Sequence, residues 1–112
     1  MESLIEMARR LGKHIAADDR TVQLKKARQT VDTDTSAADL VNRYHEQIAK
    51  IHRLEQEGQP VEVADKKILQ ELESQISTHA ALKELSRRQV DFVDLMRKVK
   101  QAIDDELQLD DA

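Results

Sequence analysis

The sequence predicts an all-α fold of four to five helices, packed as an antiparallel helical bundle with a long C-terminal helix that dimerises. The first observation is composition: the 112 residues contain only two Gly, one Pro and no Cys, so few residues favour turns or strands. The second is periodicity, because apolar residues recur every three or four positions along most of the chain. This length is typical of one domain, and we expect residues 1–112 to form a single helical domain.

Two helices are predicted in the N-terminal third of the chain. A helix over about 3–17 follows from apolar residues at spacings of four and three, and Asp18 or Asp19 can cap a short second helix over about 20–31. The apolar residues are Leu4, Ala8, Leu11 and Ile15 in the first helix, and Leu24, Ala27 and Val31 in the second. Gly12 is less favourable than Ala inside a helix by about 1 kcal/mol, which indicates that a neighbouring backbone packs close to it.

A long third helix is predicted after the polar joint at residues 32–36. Ser36 and Asp39 have the spacing of a capping box, with Asp in place of the usual Glu. The helix should stop just before Gly58, which can adopt the left-handed conformation, and Pro60 blocks its continuation. Its predicted inner face consists of Ala37, Leu40, Val41, Tyr44, Ile48 and Ile51.

The fourth and fifth helices are predicted over about 61–77 and 79–107. Apolar residues of the fourth helix step by four, and Leu69 broadens the stripe. The stepping residues are Ala64, Ile68, Leu72 and Ile76. Ser77 or Thr78 can cap the last helix after a slight break, although one uninterrupted helix through this point is an alternative.

The last helix has the clearest apolar pattern, with alternating spacings of three and four over three heptads. This pattern is typical of a coiled-coil seam. We predict a helix–helix interface formed by Leu82, Leu85, Gln89, Phe92, Met96, Val99 and Ile103. Gln89 either lies inside this seam, where it can fix the register, or sits at its edge with its amide in water. Phe92, the only Phe, should be the largest anchor of the seam.

Two features of the chain predict a homodimer. A helix of this length spans about 43 Å, more than one compact domain needs, and Tyr44 and Phe92 are the only aromatic residues available to fill a core. A second chain would complete the burial of the apolar faces. Acidic residues at the C-terminus oppose the helix dipole, so we expect residues 108–112 to fray. These acids are Asp104, Asp105, Glu106, Asp110 and Asp111.

The charge balance bears on the class of partner. Acidic residues outnumber basic ones by 22 to 18, for a net charge of −4, which does not favour nucleic acid or an anionic membrane. Neither a signal peptide nor a membrane span fits the sequence, and we expect a cytoplasmic protein that binds proteins. Two basic clusters keep RNA as an alternative partner. They consist of Lys25, Lys26 and Arg28, and of Arg87, Arg88, Arg97, Lys98 and Lys100.

Residue constellations for catalysis or metal binding are not found in the sequence. The lack of Cys excludes thiol chemistry and Cys-held clusters, and there is no Gly-rich phosphate loop or nucleophile elbow. His45 and His52 share a helix face, but they lack the His-Glu-x-x-His spacing that places two imidazoles on one zinc ion. We therefore predict no enzyme activity, no cofactor and no metal site.

Four stretches follow one another along the chain: three with helical apolar spacing and, between the second and the last of these, one Gly-containing turn. They are Ala8-Arg9-Arg10-Leu11 through Ile15, Ala37-Ala38-Asp39-Leu40-Val41, Gln56-Glu57-Gly58-Gln59-Pro60, and Leu82 through Ile103. In this order, over about residues 8–107, the chain resembles the YlbF/YmcA family of small bacterial helical regulators.

The resemblance implies an all-helical fold that dimerises through its helices and has no catalytic activity. It also implies a cytoplasmic regulator that assembles with another protein and influences RNA processing, competence, biofilm formation and sporulation. Family members can hold an iron–sulfur cluster through cysteines. Because this chain has no Cys, the iron–sulfur cluster is not expected in it. The resemblance therefore does not imply that this chain belongs to the protein complex that those family members form.

Overall fold

The structure, a computed structural model, describes residues 1–109 and contains five α-helices in that range. They are α1 (Leu4–Ala17), α2 (Asp19–Asp32), α3 (Thr35–Gln56), α4 (Val63–Thr78) and α5 (Ala80–Leu107). Each bound lies within two residues of the position predicted from the sequence, and the all-α prediction is confirmed. The strength of the apolar periodicity and of the helix-stop signals explains this agreement.

The helices pack as two antiparallel pairs, α2 against α5 and α3 against α4. Since α2 runs into α3 and α4 runs into α5, the chain forms two long arms, each broken once by a joint. The α3–α4 turn closes one end of the molecule. At the other end, α1 packs against α2, and the 28 residues of α5 extend well beyond the 14 residues of α2.

The turn that ends α3 is built around Gly58. Gly58 has a φ of 68°, a conformation that a side chain disfavours. Its N–H donates to the carbonyl of Glu55 at 3.2 Å, and the N–H of Gln59 donates to the carbonyl of Leu54 at 2.9 Å. This is the Schellman pattern of a helix C-terminus, and the predicted stop at Gly58 is confirmed.

The joint between α2 and α3 is capped by Asp34 rather than by Ser36, and the capping prediction was wrong. The Asp34 Oδ1 atom accepts from the backbone N–H groups of Ser36 at 3.0 Å and Ala37 at 3.1 Å. The Ser36 hydroxyl donates to the same carboxylate at 2.7 Å. A carboxylate placed just before the first turn satisfies two free amides at once, so α3 starts two residues earlier than predicted.

The joint between α4 and α5 is a single extended residue, His79, with ψ of 121°. The predicted break is therefore confirmed, and the alternative of one uninterrupted helix is excluded. Neither Ser77 nor Thr78 caps α5. Both hydroxyls instead donate back to the carbonyl of Ser74, at 2.9 and 3.0 Å, a common alternative for hydroxyls in the last turn of a helix.

The core is small and lies along the two helix pairs. Its buried apolar residues are Leu24, Ala27, Ala37, Leu72 and Leu82. Ala37 is 0% exposed and sits in the first turn of α3, where α2, α3, α4 and α5 meet around the two joints. A larger side chain at this position would require its neighbours to move.

The predicted inner faces of α3 and α4 are covered except at three positions. On α3, Gln47 is buried while Ile48 is exposed, and on α4, Asp65 is buried while Ile68 is exposed. Ala64, also assigned to the inner face, is exposed. The apolar stripe therefore does not account for every buried position, because a polar network described below buries Gln47 and Asp65 near the start of α4.

The two ends of the chain are only lightly packed. A Cβ added to Gly12 would meet no atom within 4 Å, so the predicted close approach of a backbone is wrong for the single chain as described. At the C-terminus, Gln108 ends α5 in the left-handed conformation, with φ of 51°. Of the predicted frayed segment 108–112, residues 110–112 lie outside the described residues.

The molecule is elongated and flat, with dimensions of 62 × 40 × 20 Å. Its radius of gyration is 20.1 Å, whereas a compact chain of this length has about 13 Å. Its accessible surface is 8909 Å², against about 6,300 Å² for a compact monomer of this mass. The single chain thus exposes about 2,600 Å² more than such a monomer.

Candidate functional site

Helix α1 presents an apolar face that the rest of residues 1–109 leaves uncovered. Its start is fixed by a capping box, in which the Glu6 N–H donates to Ser3 Oγ at 3.1 Å and the Ser3 N–H donates to Glu6 Oε2 at 3.2 Å. Leu4 is 80% exposed and Leu11 39% exposed, and no residue of α1 is buried. The four predicted apolar residues thus form a stripe in which only Ile15 is half-buried.

The end of α5 is also left uncovered by the described part of the chain. Arg20, in the first turn of α2, has a raised pKa because of its hydrogen bond to Asp18 and, further, because of the charges of Asp94 and Asp91. Because α2 has 14 residues and α5 has 28, α5 continues past the beginning of α2. All of its residues from 100 to 107 are exposed.

The residues of the predicted seam occupy three different environments. Leu82 is buried. The half-buried residues of the seam are Leu85, Phe92 and Val99, and the exposed ones are Gln89, Met96 and Ile103. In the single chain the Gln89 amide is thus open to water, as one of its two predicted settings requires. Met96 and Ile103 are 37% and 50% exposed, respectively.

A second stripe, not predicted from the sequence, runs beside the seam on α5. Four seam residues, Leu82, Gln89, Met96 and Ile103, alternate along it with Ser86, Val93, Lys100 and Leu107. The spacings are again four and three, so all eight residues share one helix face, which we call the outer stripe. All of them except Leu82 are exposed. Val93 and Leu107 could have predicted this stripe from the sequence. They add apolar residues at helical spacing on the side of α5 away from Leu85 and Phe92.

An apolar groove of about 690 Å³ lies at the Leu82 end of the outer stripe. Its apolar walls are formed by Val41, Tyr44 and Ile76, from the helices on either side of the joints. Ser86 links this groove to a second, of about 390 Å³, that includes Val90 and Val93. The outer stripe is therefore bordered by concave surface along its first half.

The two joints are tied together by a polar cluster of Asp34, Ser36 and His79. His79 Nε2 lies 2.9 Å from Ser36 Oγ and 3.7 Å from Asp34 Oδ2. Because the Ser36 hydroxyl donates its only proton to Asp34, its oxygen is free to accept from His79 Nε2–H. The pKa of Asp34 is lowered, first by the Ser36 hydrogen bond and then by the Ala37 amide.

This cluster is a structural tie rather than a nucleophilic site. In a Ser-His-Asp triad the histidine lies between the other two groups and accepts the serine proton. Here the serine proton goes to the aspartate, and His79 Nδ1 is buried without a hydrogen-bond partner among the described residues. The cluster was not predicted from the sequence, since Ser36 and Asp34 lie 43 and 45 residues from His79 along the chain.

A second polar network joins α3 to α4. Gln47 Nε2 donates to the backbone carbonyl of Asp65 at 2.9 Å. Lys50 Nζ lies 2.8 Å from Asp65 Oδ1, and the Glu62 N–H donates to Asp65 Oδ2 at 3.2 Å. The hydrogen bond from Lys50 is the main cause of the lowered pKa of Asp65. This network explains why Gln47 and Asp65, rather than the neighbouring isoleucines, are buried.

Most cations of the second basic cluster are engaged with acids on their own helix. Arg88 pairs with Glu84 at 2.6 Å, and Arg97 and Lys98 both pair with Asp94, at 2.6 and 3.0 Å. Such i, i+3 and i, i+4 pairs are typical of a solvated helix face. Among residues 1–109 no group of three His, Asp or Glu side chains could hold a metal ion. None of the five described helices has the length and apolar character needed to cross a bilayer.

A match to a known protein family identifies the family of this chain. A family model described as "Control of competence regulator ComK, YlbF/YmcA" matches residues 4–108, which is nearly the whole chain. The chain belongs to the YlbF/YmcA family. The resemblance drawn from the sequence is confirmed, and with it a place among bacterial regulatory proteins of the all-helical type.

A solved structure has the same fold as this YlbF/YmcA family chain. It is described as "Protein of Unknown Function (DUF964) from Bacillus stearothermophilus" and superposes with a TM-score of 0.69 at 20% sequence identity. The match covers 94% of this chain and 92% of the other, so the arrangement of all the helices is shared. Comparison with curated proteins gives no match.

Proposed function

We propose that this protein is a non-enzymatic regulatory adaptor of the cytoplasm, which acts through helix-mediated contacts with a second copy of itself and with a further protein. The family description supports the regulatory role, as control of the competence regulator ComK. RNA processing, biofilm formation and sporulation are the other processes that we assign to this role by resemblance to the family.

The observation that carries the proposal is the surface that the single chain leaves uncovered. The excess of about 2,600 Å² is larger than the 1,200 to 2,000 Å² that a stable interface buries in total over both partners. It includes the apolar face of α1 and the outer stripe of α5, with Leu4 80% and Leu107 56% exposed. Apolar faces of this extent mark sites of protein contact.

Protein contact is favoured over RNA contact by the distribution of charge. Phosphate binding requires free cations along one face, preferably with aromatic side chains on which bases stack. Here Arg88, Arg97 and Lys98 are already paired with acids on α5, and the net charge of the chain is −4. The uncovered faces are apolar instead.

The proposal is tested by the substitution Met96→Asp, with Lys98→Asp as the matched control. Met96 lies on the outer stripe, whereas Lys98 is rotated by about 200° around α5. If the outer stripe is an interface, Met96→Asp buries an unpaired charge there and weakens the dimer by about 3–5 kcal/mol. Lys98→Asp should change stability by only about 0.5 kcal/mol.

Light scattering coupled to size exclusion reads out both variants. The expected result is a dimer mass for the unsubstituted chain and for Lys98→Asp, and a monomer mass for Met96→Asp. A concentration-independent monomer mass for the unsubstituted chain would refute the self-association. Binding of a single-stranded RNA that weakens steeply with added salt would instead support the RNA-associated alternative.

A further inference from the structure

We infer that the outer stripe of α5 packs antiparallel against the outer stripe of a second copy, in one defined register. The inference rests on the proposed self-association and adds the surface, the direction and the register of the contact. The twofold axis passes between Val93 and Met96, so that Val93 of each chain faces Met96 of the second copy. Moving outward, Gln89 faces Lys100, Ser86 faces Ile103, and Leu82 faces Leu107 of the second copy.

The register follows from the two polar positions of the outer stripe. Gln89 and Lys100 are the long polar residues among its eight positions, and both are exposed. In the proposed register they face each other, so that the Gln89 amide oxygen can accept from the Lys100 ammonium of the second copy. A shift by one heptad in either direction sets each of them against an apolar residue. Polar groups placed in this way select one register of a coiled coil.

The antiparallel direction is supported by charge at the edge of the outer stripe. Lys83 and Asp104 each follow a stripe residue by one position, so they lie on the same flank of α5. In the antiparallel arrangement they come together across the interface, with Lys83 of each chain beside Asp104 of the second copy. A parallel arrangement places this flank of the two chains on opposite sides of the interface, so Lys83 and Asp104 would have no such pairing.

The groove beside Leu82 provides space for the end of the second α5. Leu107 of the second copy faces this groove, whose volume is about 690 Å³ and whose walls include Val41, Tyr44 and Ile76. In the single chain Leu107 is 56% exposed, so its burial there removes apolar surface from water on both sides. The concave and convex ends of the same stripe are thus complementary, as a contact between identical chains requires.

Because the chain has no Cys, single cysteines report the register without background. We would prepare Ser86→Cys and Ile103→Cys separately, oxidise each alone, and then oxidise an equimolar mixture of the two. In the proposed register Ser86 faces Ile103, whereas the two copies of Ser86 are about 25 Å apart along the axis, far beyond the reach of a disulfide. Only the mixture should give a cross-linked dimer.

Charge reversal on the flank provides a second test that does not alter the apolar stripe. Lys83→Asp and Asp104→Lys should each weaken dimerisation by about threefold to tenfold, measured by analytical ultracentrifugation. The double variant Lys83→Asp/Asp104→Lys should return to within about twofold of the unsubstituted chain, because the pair is restored in reverse.

The possible outcomes separate this inference from the proposed function. A dimer mass together with cross-linking of Ser86→Cys alone would establish a parallel arrangement and overturn the register. A dimer mass without cross-linking in the mixture, and without rescue in the double charge variant, would place the interface elsewhere. If the cysteine variants lose the dimer, the charge variants decide the register. A monomer mass for the unsubstituted chain would refute the self-association itself.

Discussion

The joint region and the free ends of the molecule differ in how their polar and apolar groups are satisfied. Around the joints, Ala37 is fully buried and the Asp34, Ser36 and His79 side chains are hydrogen-bonded to one another. At the free ends, α1 has no buried residue, and the end of α5 extends past the start of α2. One chain completes the first region, whereas the second presents its apolar faces to solvent.

The two regions therefore have different roles: one stabilises the folded chain, and the other is available for contact with another chain. The joint region and the α3–α4 pair hold the two arms together, and their polar networks fix how the arms are oriented. The free ends contribute little to the fold of the single chain, because their apolar residues have few neighbours to pack against. Substitutions in the two regions should therefore have different readouts, folding stability in one and association in the other.

The largest difference in unfolding free energy between the two regions is expected for a matched pair of Leu→Ala substitutions, one in each region. Leu72, in the α3–α4 pair, is 6% exposed, whereas Leu4 of α1 is 80% exposed. Leu72→Ala should lower the free energy of unfolding by about 2–4 kcal/mol, since it leaves a cavity in the core. Leu4→Ala should change it by no more than about 0.5 kcal/mol. Urea unfolding followed by circular dichroism measures both.

Equal losses for Leu72→Ala and Leu4→Ala would break the comparison. They would show that α1 is as tightly packed in solution as the α3–α4 pair, and that the second copy covers α1 as well as α5. Repeating the measurement over a hundredfold range of protein concentration separates the two contributions, because a stability that depends on association depends on concentration.

A smaller effect is expected for Asp65→Asn, together with a change in pH dependence. Asn offers one carbonyl oxygen in place of two carboxylate oxygens, so it cannot serve both Lys50 and the Glu62 amide. The loss at neutral pH should be smaller than that of Leu72→Ala. The Gln47 bond to the Asp65 carbonyl is retained, because it involves only the backbone of Asp65.

The pH dependence follows from the lowered pKa of Asp65, whose main cause is the Lys50 hydrogen bond. The ordinary pKa of Asp is about 3.9, so the unfolded chain binds this proton more tightly than the folded one. The stabilisation is therefore complete above about pH 5 and is lost as the pH falls through the lowered folded pKa. The difference in urea midpoint between the parent and Asp65→Asn should shrink from pH 7 to pH 3. A constant difference would contradict this assignment.

The smallest expected effects come from the two glycines, and they have opposite signs. Gly58 has φ of 68°, so Gly58→Ala should destabilise the α3–α4 turn by about 1 kcal/mol. Gly12 lies in a helix with open space around it, so Gly12→Ala should stabilise the chain by about 0.5–1 kcal/mol. Thermal unfolding measures both. A loss for Gly12→Ala would show that another chain packs against α1 at that point.

The sequence by itself determined the helices and their ends, because these depend on local chemistry. Apolar spacing, Gly58 in its left-handed turn and the break before α5 all act within a few residues of the chain. The cap of α3 was misassigned for a local reason as well. Asp34 and Ser36 are both residue types that cap helix N-termini. The Asp34 carboxylate accepts hydrogen bonds from the free amides of Ser36 and Ala37.

The tertiary structure alone decided which face of each helix is covered. A helical stripe is wider than one contact, so periodicity does not distinguish the side of α5 that carries Leu85 and Phe92 from the side that carries Val93 and Leu107. On α3 and α4, the hydrogen bond between Gln47 and Asp65 joins residues 18 positions apart and buries them in place of Ile48 and Ile68. Such a contact depends on how two helices meet, and the spacing of residues along either helix does not contain that information.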